Sequence, residues 1–531
     1  MDRKLKICFT SDVHGYLYPT NYGDEEVRPM GLFQCAGGFE KDEDTLVIDG
    51  GDMLQGSAFA YYCSRIGNSP KPLADAVNEC GYDYYTIGNH DFNYGREYQL
   101  EYIRENHAHC LSQNICDEAG KPLYPAVIHT MKNGLKVGLV GIVTDYINIW
   151  EKKENLTGVQ VTDPFEAAKA ALQELKGKTD LNICIYHGGF EDDLKTGKRL
   201  SKTTENVGCK ICRELDFDVL LTGHQHMSTD GQDLYGTWVV QPADRGKEYH
   251  WLEILVSEDG ALKIHSEKKS ADPSLGAPLR EQFAENEKKV QTWLNLPVGH
   301  LSHALVPGDK LEMALHGSEI ADFINEIQLN VSGAEVSVVG LANEIAGFRT
   351  EVTTRDIIAT YPFPNTLVVC RITGAQLKAA IERSAQYFAV KADGTLTIAD
   401  SFLHPKVEHY NYDYFMGISY RLDPFAPIGE RVVSMSRNGK EIQQGETLSL
   451  CLNNYRFSGA GEYPMYPECP VIREINTEMV EIIMDYFRTH PQIEIGAQAH
   501  DKLQGYTSVF LRKRGCRISK YFLLGGDPVL C

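Results

Sequence analysis

Five short apolar or alternating runs, at residues 5–9, 46–48, 84–87, 183–185 and 219–221, each lead directly into side chains that bind metals. The runs end in Ser11-Asp12-Val13-His14-Gly15, Asp49-Gly50-Gly51-Asp52, Gly88-Asn89-His90-Asp91, Tyr186-His187-Gly188-Gly189 and Gly223-His224-Gln225-His226. Apolar runs of this length bounded by Gly, Asp and Asn read as strands. In an open α/β sheet, ligands bind in the crevice beyond the carboxyl ends of the strands, so these five should aim their Asp, His and Asn side chains into one pocket. So many ligands exceed what one cation takes, which predicts more than one metal.

At 531 residues the chain is too long for one core and should divide into two or three domains. Its 43% hydrophobic and 24% charged residues are those of an ordinary globular protein. A formal net charge of −21 argues against a nucleic-acid polymer as partner, because neutralising a phosphate backbone takes basic patches. An anionic small molecule stays open, since bound divalent cations would dominate the local field. Met1-Asp2-Arg3-Lys4 passes straight into the first strand without an apolar leader, and no run is long enough to span a membrane. The fourteen cysteines lack the dense spacing of a disulfide scaffold. The expectation is a cytoplasmic protein with no membrane partner, monomeric or weakly oligomeric, and periplasmic or secreted only if a leader has been removed.

Strand-like runs alternate with helical stretches at 72–80, 97–106 and 164–175, which predicts an α/β first domain over 1–270. Residues 136–143 add a buried strand, and 238–241 followed by 249–256 look like a closing hairpin. A Pro- and Gly-bearing segment, 271–278, precedes a charged helix at 279–294, so 271–298 is read as a linker. A second α/β domain should fill 299–508, with helices at 318–328 and 374–387 and strands at 335–339 and 366–372. Residues 509–531 read as a solvated tail.

Asp12 and His14, two apart at a strand end, can face one cavity across the turn at Gly15. Asp52 comes after two glycines, where the backbone can approach a cation closely. A carboxylate, with two charged oxygens, suits a bridge between two ions, so Asp52 is the expected bridging ligand. Asn89, His187, His224 and His226 would complete two sites of mixed nitrogen and oxygen donors, a set that favours Mn, Zn, Fe or Co over Ca or Mg. A metal pair of this kind clamps the attacking and leaving oxygens of a phosphoester displacement. Other histidines, among them His107, His109, His129 and His404, lack this context, and Cys209-Lys210-Ile211-Cys212 is half of a zinc motif with no second pair.

On these five motifs, and over residues 5–500, the sequence resembles the calcineurin-like metallophosphoesterases. The likeness is to the two-domain branch of 5′-nucleotidases and 2′,3′-cyclic-nucleotide 2′-phosphodiesterase/3′-nucleotidases. The resemblance implies a four-layer β-sandwich flanked by helices, followed by a C-terminal α/β nucleotide-binding domain that swings on a hinge near 279–294. It implies a first metal on Asp12, His14, Asp52 and His226, a second on Asp52, Asn89, His187 and His224, and His90 as the catalytic histidine. The 5′-nucleotidases pair that histidine with an aspartate three residues on, whereas this chain has Asn93, as is usual in the cyclic-phosphodiesterase branch. An asparagine can hydrogen-bond an imidazole but cannot stabilise an imidazolium as a carboxylate would, which leaves open what orients His90. Tyr361-Pro362-Phe363-Pro364-Asn365-Thr366-Leu367, Asn411-Tyr412-Asp413 and Asn453-Asn454-Tyr455-Arg456 resemble the same branch, whose paired aromatic rings sandwich the base at positions matching Tyr410 and Tyr455. The expected activity is hydrolysis of a nucleotide, by opening 2′,3′-cyclic nucleotides and then removing the 3′-phosphate. A 5′-nucleotidase or nucleotide-sugar pyrophosphatase, and a non-catalytic nucleotide receptor, are the rivals.

Overall fold

The runs read as strands are strands, and their pairing assigns them to two sheets. The computed structural model describes residues 3–495 except 25, 200–203, 364, 405 and 476, together with Thr507–Val509, Arg512–Lys513 and Cys516–Arg517. The chain forms two units, Met1–Val298 with Val352–Pro364, and Gly299–Glu351 with Asn365–Cys531.

In the first unit the strands are β1 (Arg3–Thr10), β2 (Thr45–Asp49), β3 (Tyr84–Thr86), β4 (His109–Cys116), β5 (Pro122–Tyr124), β6 (Val127–Thr130), β7 (Lys136–Val143), β8 (Gln160–Val161), β9 (Leu181–His187), β10 (Val219–Thr222), β11 (Thr229–Leu234), β12 (Thr237–Gln241), β13 (Glu248–Val256) and β14 (Leu262–Ser270). One sheet runs β14-β13-β1-β2-β3-β4-β5, with β8 on β4, and the other runs β11-β12-β10-β9-β7-β6. β1 to β4 are parallel to one another, as are β7, β9, β10 and β12. Leu5, Ile7, Phe9, Leu46 and Ile48 of the first sheet share a core cluster with Leu139, Ile183, Ile185, Val219 and Leu221 of the second. The far face of the second sheet buries Val140, Ile142, Cys184 and Leu220 against Phe165, Ala168 and Ala171 of the helix Pro164–Leu175 and Cys209, Ile211 and Cys212 of the helix Gly208–Glu214. Strands buried on both faces explain why the parallel segments read as continuous apolar runs. Both cysteines of the half zinc motif are buried in that helix, and the described cysteines are free thiols.

Two expectations are corrected. Residues 238–241 and 249–256 do not form a hairpin: β12 lies in the second sheet beside β10, and β13 lies in the first, antiparallel to β1. The hairpins are β11–β12 and β13–β14. The stretch 271–298 is not a linker. It forms the helices Ala277–Gln282 and Ala284–Leu294, parted at Phe283, and its apolar residues dock on the first unit: Phe283 stacks on Phe33 at 5.5 Å and Trp293 on Tyr61 at 5.8 Å. The chain passes between units at 298–299, 351–352 and 364–365, outside the helix expected to hold the hinge.

The second unit is built on a five-stranded mixed sheet of β15 (Val336–Gly340), β16 (Leu367–Thr373), β17 (Asp413–Met416), β18 (Thr447–Asn453) and β19 (Val471–Ile475), in the order β17-β15-β18-β16-β19. The helix Gly374–Ala385 starts at a capping box, Thr373 with Gln376, and buries Leu377, Ala380 and Ile381 as its spacing predicts. The expected tail, 509–531, lies outside the described residues apart from Val509, Arg512–Lys513 and Cys516–Arg517.

Candidate metal centre

The seven expected ligands all lie at the carboxyl ends of parallel strands, three strands from one sheet and two from the other. Asp12 and His14 come after β1, Asp52 after β2 and Asn89 after β3, while His187 ends β9 and His224 and His226 come after β10. The loops are tied to one another by the backbone: the Asp12 amide donates to Gly51 O at 2.9 Å and the His14 amide to Asp52 O at 2.7 Å. The His224 amide donates to both carboxylate oxygens of Asp12, at 3.0 and 2.9 Å. Gly51 has a φ of +95°, and a Cβ there would sit 2.6 Å from the Gly88 nitrogen, so only glycine lets the β2 and β3 loops meet.

Ligating atoms converge in two groups. Asp12, His14 and His226 form one and Asp12, Asp52 and His187 the other, the donor atoms of each lying within 4.8 Å of one another. His14 Nδ1 donates to Gln55 O at 2.8 Å, which leaves its Nε2 lone pair facing His226 Nε2 at 3.1 Å. His187 Nδ1 donates to Gly50 O at 2.7 Å, so its Nε2 faces Asp52 Oδ2 at 3.2 Å and Asn89 Oδ1 at 3.2 Å. His224 turns Nδ1 to Asn89 Oδ1 at 2.9 Å and gives Nε2 to Glu205 Oε1 at 2.8 Å. Asp52 Oδ2 is buried and makes no hydrogen bond. A buried carboxylate oxygen ringed by imidazole nitrogens fits divalent cations of the borderline class. Burial, helped by the neighbouring His226 and His90, pushes His14 down to about 4, while His187, against the same burial, is held up at about 10 chiefly by the Asp52 charge.

The backbone carries the same signature. Asp12, His14, Asp52, His224 and His226 all have φ between 54° and 69°. An L-residue in this left-handed region costs roughly 1–2 kcal/mol, and such outliers gather at functional sites. His226 is the most exposed of the seven expected ligands, at 28%, so its substitutions open no core cavity. Melted in chelator, His226→Gly should unfold about 2–4 °C above His226→Ala, the reverse of the usual order of Gly below Ala. Equal melting temperatures would remove the case for strain.

The calcineurin-like phosphoesterase family model matches residues 5–228, and the 5′-nucleotidase C-terminal domain model matches 297–468. A candidate 5′-nucleotidase from Staphylococcus aureus, crystallised with α-ketoglutarate, is 31% identical over 92% of this chain and 100% of its own, with a TM-score of 0.86. The chain belongs to the calcineurin-like phosphoesterases that carry a 5′-nucleotidase C-terminal domain. The trifunctional nucleotide phosphoesterase YfkN of Bacillus subtilis is 24% identical over 91% of this chain, which spans 38% of that protein. The 2′,3′-cyclic-nucleotide 2′-phosphodiesterase/3′-nucleotidase of Yersinia enterocolitica is 26% identical over 86% of this chain and 82% of its own. Like its family, this phosphoesterase is a hydrolase, and the family implies divalent metals.

His90 of this calcineurin-like phosphoesterase stands beside the ligands, its ring 5.3 Å from that of His14, and Asn93 Oδ1 lies 2.7 Å from its Nδ1. Tyr410 and Tyr455 belong to the second unit, where both are half-buried. Buried Arg456 ties their segments together, donating to Tyr410 O at 2.7 Å, Asn411 Oδ1 at 3.1 Å and Asp413 Oδ1 at 3.1 Å. Four participants were missed from sequence. Asp91 accepts the amides that shape the Asp52 loop, Glu205 meets His224, Trp150 stacks on the His224 ring at 5.6 Å, and Glu151 meets Asn93. Trp150 and Glu151 lie beyond β7, whose own carboxyl end was the available signal.

Proposed function

We propose that this phosphoesterase is a two-metal hydrolase of nucleotides that opens 2′,3′-cyclic nucleotides and then removes the remaining 3′-phosphate. The observation that carries the two-metal part is the convergence of imidazole lone pairs and carboxylates around Asp12 and Asp52. Asp12, His14, Asp52 and His226 would hold one cation, and Asp52, Asn89, His187 and His224 the other. Bound there, the ions would neutralise phosphoryl charge and acidify water. In the first reaction the oxygen of water joins phosphorus, the P–O2′ bond breaks and O2′ takes a proton, leaving the 3′-monoester. His90 presents Nε2 to that chemistry, because Nδ1 is engaged by Asn93, and it would hold the proton at the leaving oxygen. Tyr410 and Tyr455 would stack on the base, which tolerates any base at roughly 1–3 kcal/mol per stack. Support for the cyclic substrate comes from Asn93 and from relatives named for that activity.

A second reading, 5′-nucleotidase, is favoured by the Staphylococcus aureus relative. Phosphate release from 2′,3′-cyclic AMP (with 3′-AMP as intermediate), 3′-AMP and 5′-AMP, with Mn²⁺ and with chelator, decides between them. The proposal expects metal-dependent turnover of the first two and little of the third. Equal turnover of 5′-AMP would favour the second reading, and nucleotide binding without any turnover would make the protein a receptor.

A further inference from the structure

We propose that Glu151 is a positioning residue that completes a relay, Glu151–Asn93–His90, and so fixes the orientation and tautomer of the histidine. The inference rests on the reading of His90 as catalytic, and it answers what an asparagine in place of the aspartate leaves open.

An asparagine beside an imidazole is ambiguous, because either its oxygen or its NH₂ can face the ring. Here the ambiguity is removed from the far side. Asn93 Nδ2 lies 2.7 Å from Glu151 Oε2, and a carboxylate only accepts, so the NH₂ must point to Glu151. The amide oxygen then points to His90 Nδ1 at 2.7 Å and requires a proton there. A neutral imidazole has one ring proton, so Nε2, the nitrogen not engaged by Asn93, is left as the atom that takes up a second proton and gives it to the leaving oxygen. The carboxylate charge also polarises the amide, strengthening the bond its oxygen makes to His90.

Glu151 is itself held. Its Oε1 accepts from its neighbour's amide, Lys152 N, at 2.7 Å and from Asn155 Nδ2 at 2.9 Å, and Asn155 Nδ2 reaches Asn93 O at 3.4 Å. The residue caps the short helix Ile147–Trp150, its amide bonded to Ile147 O, in the loop that leaves β7. Trp150, one residue earlier, stacks on His224. One loop thus braces a metal ligand with Trp150 and the His90 arm with Glu151.

The relay has a polarity that can be reversed, and this makes it testable. Asn93→Asp alone sets two carboxylates face to face and breaks the relay. Asn93→Asp with Glu151→Gln restores it, because the introduced amide's NH₂ donates to the introduced carboxylate, which still accepts from His90. Steady-state kinetics on Mn²⁺-loaded protein with 2′,3′-cyclic AMP should show Glu151→Ala and Asn93→Asp each lowering kcat about 10–100-fold, with KM changed less than about twofold, and the double variant recovering most of the loss. With bis(4-nitrophenyl) phosphate, whose leaving group departs without a proton, the Glu151→Ala loss should shrink to a few-fold, a pattern that general loosening of the site would not give. Melting temperature and metal content check that each variant is folded and loaded. The inference is overturned if His90→Ala abolishes turnover of the cyclic substrate while Glu151→Ala leaves kcat within twofold, or if the double variant is no better than Asn93→Asp. Full turnover by His90→Ala would instead sink the reading of His90 as catalytic, and the relay's purpose with it.

Discussion

Chelator-stripped protein should gain on the order of 10 °C in melting temperature when Mn²⁺ or Zn²⁺ is added at about a thousand times its dissociation constant, because each occupied site then adds about 4 kcal/mol. Turnover should return with it, and at pH 8 at least one proton should leave each chain. Asp12 and Asp52 are fully buried carboxylates, and burial alone would raise both. His226 and His187 instead hold Asp12 well below the usual carboxylate range, and His187 with His90 does the same for Asp52, so both stay charged. In the metal-free chain the compensating charge is a proton on His187, whose pKa stands at about 10. A group raised in this way stabilises the metal-free fold while protonated, in full below its ordinary value near 6.5, and that contribution is lost as pH rises through about 10. A cation needs the same Nε2 lone pair, so at pH 8 it must displace the proton, and affinity should climb with pH up to about 10. Calorimetry in buffers of different ionisation enthalpy counts the protons. Metal uptake without proton release would mean that His187 is not a ligand, and no shift in melting temperature would mean that the cluster binds no metal.

The cluster was legible because β1, β2, β3, β9 and β10 each keep an apolar run and its polar side chains within a few residues. Asp12 and His14 or His224 and His226 are two apart, and each pair succeeds a strand buried on both faces. The supports were not legible, because they act across the sheet ends. Glu151 reaches Asn93 over 58 residues, Asp91 reaches the Asp52 amide over 39 and Glu205 reaches His224 over 19. Nothing local marks a glutamate in a polar loop as the partner of a side-chain amide 58 residues away. The linker was misplaced for a related reason. The helix Ala284–Leu294 has a charged exposed face, but the aromatic residues Phe283 and Trp293 that pin this stretch to Phe33 and Tyr61 are spaced singly and leave no apolar stripe. β12 and β13 both have strand character, yet which sheet each joins depends on partners far away in sequence, β10 for one and β1 for the other.

Neighbouring residues in the β3 loop should fail in opposite ways when replaced. Asp91 is 6% exposed, and its carboxylate accepts four backbone amides: Oδ2 from Asp52 at 3.0 Å and Gly88 at 2.8 Å, Oδ1 from Met53 and Leu54 at 2.8 Å each. These bonds shape the turn that carries Asp52, the proposed bridging ligand. Asp91→Ala would leave four buried donors without an acceptor, at roughly 1–3 kcal/mol apiece, and even half of that sum is about 4 kcal/mol, a large part of what holds a domain folded. A fall in melting temperature of about 10 °C is expected, together with loss of metal binding, because the Asp52 loop loses its anchor. His90, one residue earlier, is half-buried and its imidazole faces the ligand cluster, so His90→Ala should keep the melting temperature within about 2 °C while turnover falls by roughly a hundredfold or more. Thermal melts of the two variants beside the parent, each with and without Mn²⁺, make the comparison. An Asp91→Ala protein that melts with the parent and still takes up metal would show that the loop holds Asp52 without this carboxylate, since the same four amides would then have found other partners.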